Sequence, residues 1–311
     1  MDIRAESQEN KRDLLVSQLL DEDKNIVEDI RIRIMALETG VTNANRNQEI
    51  EHAYETAFCS AKAAKDYEFI YNYGDFLREQ ELYPKAIMIA EKLKHYYDDP
   101  DIKDSVSFEN QASLFNLLGM LYYRNNDLSK TEAMYLRFIE IRESIFVAHP
   151  TKENEAEVAV GWNNIANFYA ERNQPSKALE CFQKAIEISK KLVNDSERAD
   201  KNYYVLANAC NNLAVFYTNN NEPQKAEKCF LEALDIYCHL ADSSFAVYAP
   251  EIAGIRNNLG LHFSSTGKLK EAEKMYLESL NIRRRLAQHI SKNYVRSAYC
   301  QYSGKSGQSI C

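Results

Sequence analysis

The sequence predicts an all-α chain of stacked antiparallel helix pairs. One helix–turn–helix phrase recurs five times at a near-constant period. Within each copy the large apolar residues fall at helical offsets of three and four, which marks one buried face per helix. Glycine and proline are scarce, nine and six in 311 residues, as suits a chain with few breaks. One helix pair cannot bury its apolar stripe alone, so successive pairs must stack.

The copies align on a small residue, Gly74, Gly119, Ala166, Ala214 and Gly260, at spacings of 45, 47, 48 and 46 residues. One position earlier stand Tyr73, Leu118, Ile165, Leu213 and Leu259, and three later Leu77, Tyr122, Tyr169, Tyr217 and Phe263. Twelve after the anchor come Ala86, Thr131, Ala178, Ala226 and Ala272, and sixteen after it Ala90, Tyr135, Phe182, Phe230 and Tyr276. Small residues let two backbones approach, and the ring fills the space against the small neighbour. The first copy departs most, with Ala90 in the aromatic column.

This rhythm resembles the tetratricopeptide repeat (TPR). It is clearest over 162–188, where Trp162 stands in the tryptophan column, and it covers about 67–290. The period is longer than the usual 34 or so. With the phrases at 211–237 and 249–260 and the links His149-Pro150 and Ala249-Pro250, it looks most like the kinesin-light-chain-type subfamily. The resemblance implies a right-handed α-solenoid, a TPR superhelix whose first helices line a concave face.

Residues 1–45 precede the clear repeats. Leu15, Leu19, Ile26, Ile30, Ile34 and Leu37 give helical spacing, with a break foreseen at Asp21–Asn25 and Gly40 as a stop. This segment is an N-terminal helical cap or a connector. The repeat array is expected over 46–290. Residues 46–65, with Ile50, Tyr54, Phe58 and Ala61 on one face, read as one degenerate copy. The five recognisable copies lie near 67–97, 108–147, 153–193, 201–240 and 250–288. Pro175 and Pro223 open second helices, where a missing N–H costs nothing. Thr151 and Ser244 are turn or cap candidates in the long links. Residues 291–311 read as a partial helix and a disordered tail.

Composition narrows the function. Net charge is −8 and the pI about 5.4, against a bulk nucleic-acid binder. The charge is uneven, with six Lys/Arg and no Asp/Glu from Arg283 onward. Arg283, Arg284 and Arg285 either complement a helix C-terminus or dock an acidic partner or nucleic acid. The seven cysteines, Cys59, Cys181, Cys210, Cys229, Cys238, Cys300 and Cys311, are odd in number and lack CxxC spacing. That favours a reduced, cytoplasmic setting. The polar N-terminus is no signal peptide, and no apolar run reaches the ~18 residues of a membrane span.

The chemistry-bearing candidates are asparagines. Asn163-Asn164, Asn211-Asn212 and Asn257-Asn258 occupy one register in three successive copies, with Asn116 and Asn72 in the two earlier ones. Asn167 and Asn208 lie one turn away, and Tyr123 is near the same surface. Asparagine is a poor mid-helix residue, so something other than propensity places it there. An amide carries two donors and one acceptor oxygen, so a row of them grips the C=O and N–H groups of an extended peptide. The resemblance implies the same concave use. The competing reading is that these amides bond between helices and set the stacking. A carboxylate clamp needs lysine or arginine in a column that holds Tyr71, Asn116, Asn163, Asn211 and Asn257, which argues against chaperone-tail binding.

No catalytic set, metal site or cofactor is expected. The six histidines form no HExxH pattern and no zinc spacing. The GKS at 304–306 lacks a loop glycine at Tyr299 and a following helix. The expected function is a non-catalytic adaptor whose partner is a protein or peptide, with no nucleic acid and no membrane. Alternatives are a regulatory or sensor arm of a larger NTPase-type system, and a scaffold that self-associates through its terminal helices.

Overall fold

The computed structural model describes residues 3–39, 45–63, 65–100, 106–194 and 200–305, with the backbone alone for 3–16, 39, 63, 243 and 289–305. Gly40 and the tail from 306 lie outside them. The described elements are α-helices, and they fall into two compact units, Met1–Met134 and Tyr135–Cys311.

The first unit contains α1 (Ile3–Thr39), α2 (Arg46–Ala63), α3 (Tyr67–Glu79), α4 (Tyr83–Tyr97), α5 (Phe108–Arg124) and the start of α6 (Leu128–Ala148). α1 is one helix with no break at Asp21–Asn25, and it packs on α2 through Val27 and Ile34. Its Arg31 reaches Asp66 at 2.7 Å, and Asp66 in turn caps α3 by accepting from the Phe69 amide. The core runs from α1 to α5 and includes Tyr73, Leu77, Leu93, Leu117 and Leu121.

The second unit holds the rest of α6, then α7 (Lys152–Glu171), α8 (Pro175–Asn194), α9 (Asp200–Asn219), α10 (Pro223–Ser265) and α11 (Leu269–Lys305). Thr151 caps α7 through the Asn154 amide at 3.2 Å, and Pro175 and Pro223 are the first residues of α8 and α10. The two expected helices, 223–240 and 250–265, both lie in α10, which a kink at Ser244 (φ −155°, ψ 78°), the expected link residue, divides into two halves. The segment Phe245–Ala249 has no glycine, so the second half starts before Pro250 instead of at it. α11 also continues past the expected end near 288, to Lys305.

The small-to-aromatic packing is direct in the last copy. A Cβ added at Gly260 meets the Tyr276 ring at 2.6 Å, so the ring occupies the space glycine leaves. Trp162, in the tryptophan column, is half-buried, with the Lys184 ammonium 4.3 Å above its ring. Lys184 of α8 thus holds a cation over the part of the indole that packing leaves open.

The turns inside the repeats follow one construction that the column reading did not identify. Glu81, Asn126, Asn173, Asn221 and Gly267 all stand seven residues after the anchor, and all have positive φ, between 55° and 78°. Each closes its first helix with two bonds. In the third copy these are Asn173 N–H to Ala170 C=O and Gln174 N–H to Tyr169 C=O. This is the Schellman pattern, which favours glycine or asparagine at the left-handed residue. Asparagine at 126, 173 and 221 was the available signal.

Candidate functional site: the asparagine face

α7, α9 and the second half of α10 are first helices of successive repeats, and α7 and α9 pack directly on each other. Asn212 on α9 donates through Nδ2 to Oδ1 of Asn163 on α7 at 3.2 Å. Asn258 on α10 donates in the same way to Asn211 on α9, also at 3.2 Å. In both rungs the second asparagine of a pair bonds to the first asparagine of the preceding pair. The stacking reading of these amides therefore holds for Asn163, Asn211, Asn212 and Asn258. Asn163 in particular is tied into packing, which the apolar columns gave no sign of.

The rungs do not exhaust the amides. Each uses one N–H of the donor and one lone pair of the acceptor, out of two donors and two lone pairs per side chain. Both N–H groups of Asn163 and the carbonyl of Asn212 lie outside the rung they share. All the amides concerned, with Asn164, Asn167, Asn208 and Asn257, are half-buried, so they reach solvent on one side.

The stretch around the amides is uncharged, and the Lys201–Glu157 ion pair lies nearer the start of α9 and α7. On α7 the residues at i, i+3, i+4 and i+7 are Val160, Asn163, Asn164 and Asn167. On α9 they are Asn208, Asn211, Asn212 and Val215, and on α10 Gly254, Asn257, Asn258 and Leu261. That spacing puts each set on one helix face. Val215 is 37% and Leu261 56% exposed, and a Cβ at Gly254 would stand in open space. The sequence reading named the amides and missed Val160, Val215, Gly254 and Leu261, although the same spacing includes them. None of the twelve is ionisable, so this stretch has no carboxylate clamp.

The remaining candidates belong to the first unit. Asn72 lies on α3, and Asn116 and Tyr123 lie seven residues apart on α5, all three half-buried.

Among the described residues no group of His, Cys, Asp and Glu is arranged to hold a metal ion, and no helix is long and apolar enough to cross a membrane. The described cysteines are free thiols. Burial pushes Cys181 up to about 11 and Cys210 up to about 12.

A family model described as a tetratricopeptide repeat matches residues 252–289, across the second half of α10 and the start of α11. The chain has a tetratricopeptide-repeat fold. A second family model, described as a protein of unknown function (DUF2753), matches residues 162–246 of the same repeats. No curated protein matches the chain. Among solved structures, the apo form of RapI is similar at 16% identity and a TM-score of 0.54, over 87% of this chain and 77% of that one. A signal-transduction ATPase with a tetratricopeptide-repeat sensor from Pyrococcus horikoshii gives 16% identity and a TM-score of 0.54, over 89% of this TPR chain and 41% of the ATPase. BtubC from P. vanneervenii gives 18% identity and a TM-score of 0.48, over 88% and 92%. At these identities RapI and the ATPase share the TPR fold with this chain.

Proposed function

We propose that the chain is a non-catalytic adaptor that holds an extended segment of a partner protein along the asparagine face of its second unit. The supporting observation is the uncharged stretch itself, with amides at its centre and the exposed side chains of Val215 and Leu261 beside them. An extended peptide brings alternating C=O and N–H groups, which amides match in both senses. The absence of charge favours main-chain and apolar contacts over a charged terminus. Asn163, Asn164, Asn167, Asn208, Asn211, Asn212, Asn257 and Asn258 are the proposed contacts in the second unit, and Asn72, Asn116 and Tyr123 are proposed contacts of the first unit by itself. Free, buried thiols suit a reducing cytoplasm.

The test separates amides that form rungs from amides that do not. Asn167, Asn208 and Asn257 are replaced together by alanine, and capture of partner protein from the native cell is compared with wild type. Unchanged melting with lost capture is the expected result. Capture at the wild-type level by a folded variant removes the reading.

A second reading is that the chain serves as the sensor arm of a signalling ATPase. Its likeness in fold to the P. horikoshii ATPase with a tetratricopeptide-repeat sensor favours it. Stable co-purification with an ATPase supports this reading, and a partner without nucleotide-binding activity counts against it.

A further inference from the structure

An open groove of about 730 Å³ lies between α2 and α4 in the first unit. Phe58 and Lys62 of α2 line it, with Met88, Glu91, Lys92 and Tyr96 of α4. On α4 these residues stand at i, i+3, i+4 and i+8, along one face. Both helices are the second members of their pairs, so the groove is built from other helices than those that carry Asn72, Asn116 and Tyr123 in the same unit. Met88 is 47% exposed, so apolar surface meets water there.

The charges in this groove are unbalanced. Lys62 Nζ sits 5.3 Å from the centre of the Tyr96 ring, and Lys92 Nζ sits 5.2 Å from that of Phe58. Elsewhere in the unit Lys85 pairs with Glu51 and Glu55, Lys94 with Asp98, and Lys130 with Asp127. Among the described residues, Lys62 and Lys92 have no carboxylate partner. The carboxylate in the groove, Glu91, already accepts from the Tyr122 hydroxyl. Two ammonium groups thus flank apolar surface in a chain whose net charge is −8.

We propose that this groove docks a short acidic segment of a partner protein, one with an apolar side chain beside its carboxylates. The carboxylates supply the counter-charges that Lys62 and Lys92 lack, and the apolar side chain covers Met88 and Phe58. Each exposed lysine–carboxylate pair is worth up to about 1 kcal/mol, and the apolar contact adds to it. A single-stranded nucleic acid fits less well. The ammonium groups already occupy faces of Phe58 and Tyr96 on which bases would stack, and the chain's overall charge repels a polyanion.

The test is selection from a random dodecapeptide display library on the immobilised full chain, followed by binding of the selected peptides in solution. Lys62 and Lys92 are exposed, so Lys62→Glu/Lys92→Glu is expected to stay folded, with a melting temperature lowered only by the loss of the two cation–ring contacts. A matched pair on other helices, Lys228→Glu/Lys274→Glu, controls for net charge. The expected result is a family of acidic, apolar-containing peptides. They lose affinity at least about tenfold on Lys62→Glu/Lys92→Glu, roughly the worth of two lost ion pairs, and keep it on the control. Selection without such a family overturns the proposal, as does equal loss on both variants. Binding of an oligonucleotide at this groove in place of any peptide also overturns it. The asparagine variant of the preceding section leaves this groove intact, so the two ideas fail independently.

Discussion

Asn212 of α9 donates from Nδ2 to Oδ1 of Asn163 on α7 at 3.2 Å, and so joins two repeats through residues 49 positions apart. The same bond recurs between Asn258 and Asn211. An amide in a rung thus supports the stack and presents a polar face to solvent. Mutations there act on stability as well as on binding.

Asn212→Ala and Asn258→Ala should each cost about 1 kcal/mol, the usual net worth of a partly buried hydrogen bond. Urea unfolding measures it. The double variant should lose close to the sum if the rungs are independent, and Asn257→Ala should lie within about 0.5 kcal/mol of wild type.

Gly260→Ala should destabilise by about 1–3 kcal/mol, because the new methyl group meets the Tyr276 ring at 2.6 Å and the core has no slack. Tyr276→Leu in the same chain should restore part of the loss. The neighbouring columns carry alanine at the anchor, Ala166 and Ala214, so the penalty belongs to this pairing and not to the fold. A shift in thermal midpoint reports it.

Glu81→Gly should stabilise by about 1 kcal/mol. Glu81 sits at φ 60°, a left-handed position that costs a side-chain-bearing residue about that much. Gly267 already fills the equivalent position in the last copy. Denaturant titration of the variant against wild type checks the sign.

His262 predicts a pH response. The ring is buried at 1% exposure, its Nδ1 lies 3.3 Å from the Thr218 hydroxyl, and its Nε2 has no hydrogen-bond partner. Burial holds its pKa below the ordinary value. Lys268 adds to the lowering and Glu227 opposes it, the two joined by an ion pair at 2.8 Å. A folded pKa below the unfolded one of about 6.5 means that the unfolded chain takes the proton first. The contribution is therefore fully present above that value and is lost as pH falls through it toward the folded pKa. Unfolding free energy followed from pH 7.5 to pH 5 should drop more in wild type than in His262→Phe.

Cys59 should react with a thiol reagent in the folded state, being exposed, while Cys181 and Cys210 should stay protected until unfolding. Their raised pKa values leave little thiolate near pH 8. Counting modified thiols before and after denaturation measures the difference.

Much of the fold was legible because its determinants are local and repeated. Five small anchors and their aromatic partners recur at one spacing, and a period is visible without knowing any contact. Legibility was partial where one residue decided. Ser244 was legible as a link residue, but only the backbone angles there distinguish it from the serine beside it. The asparagine rows were visible as a pattern, but their partners were not, since a hydrogen bond across 47 or 49 residues leaves no trace in either segment alone.

By itself the sequence determined an all-helical repeat chain, its register, and an amide-rich stripe on three first helices. These follow from side-chain size and helical periodicity, which act within a few residues. The tertiary structure decided that Asn163, Asn211, Asn212 and Asn258 bond to one another. It also decided that Val215 and Leu261 remain exposed beside them, and that Lys62 and Lys92 rest on rings with no carboxylate. Each depends on how closely one repeat settles against the next, a distance set by packing of the whole stack.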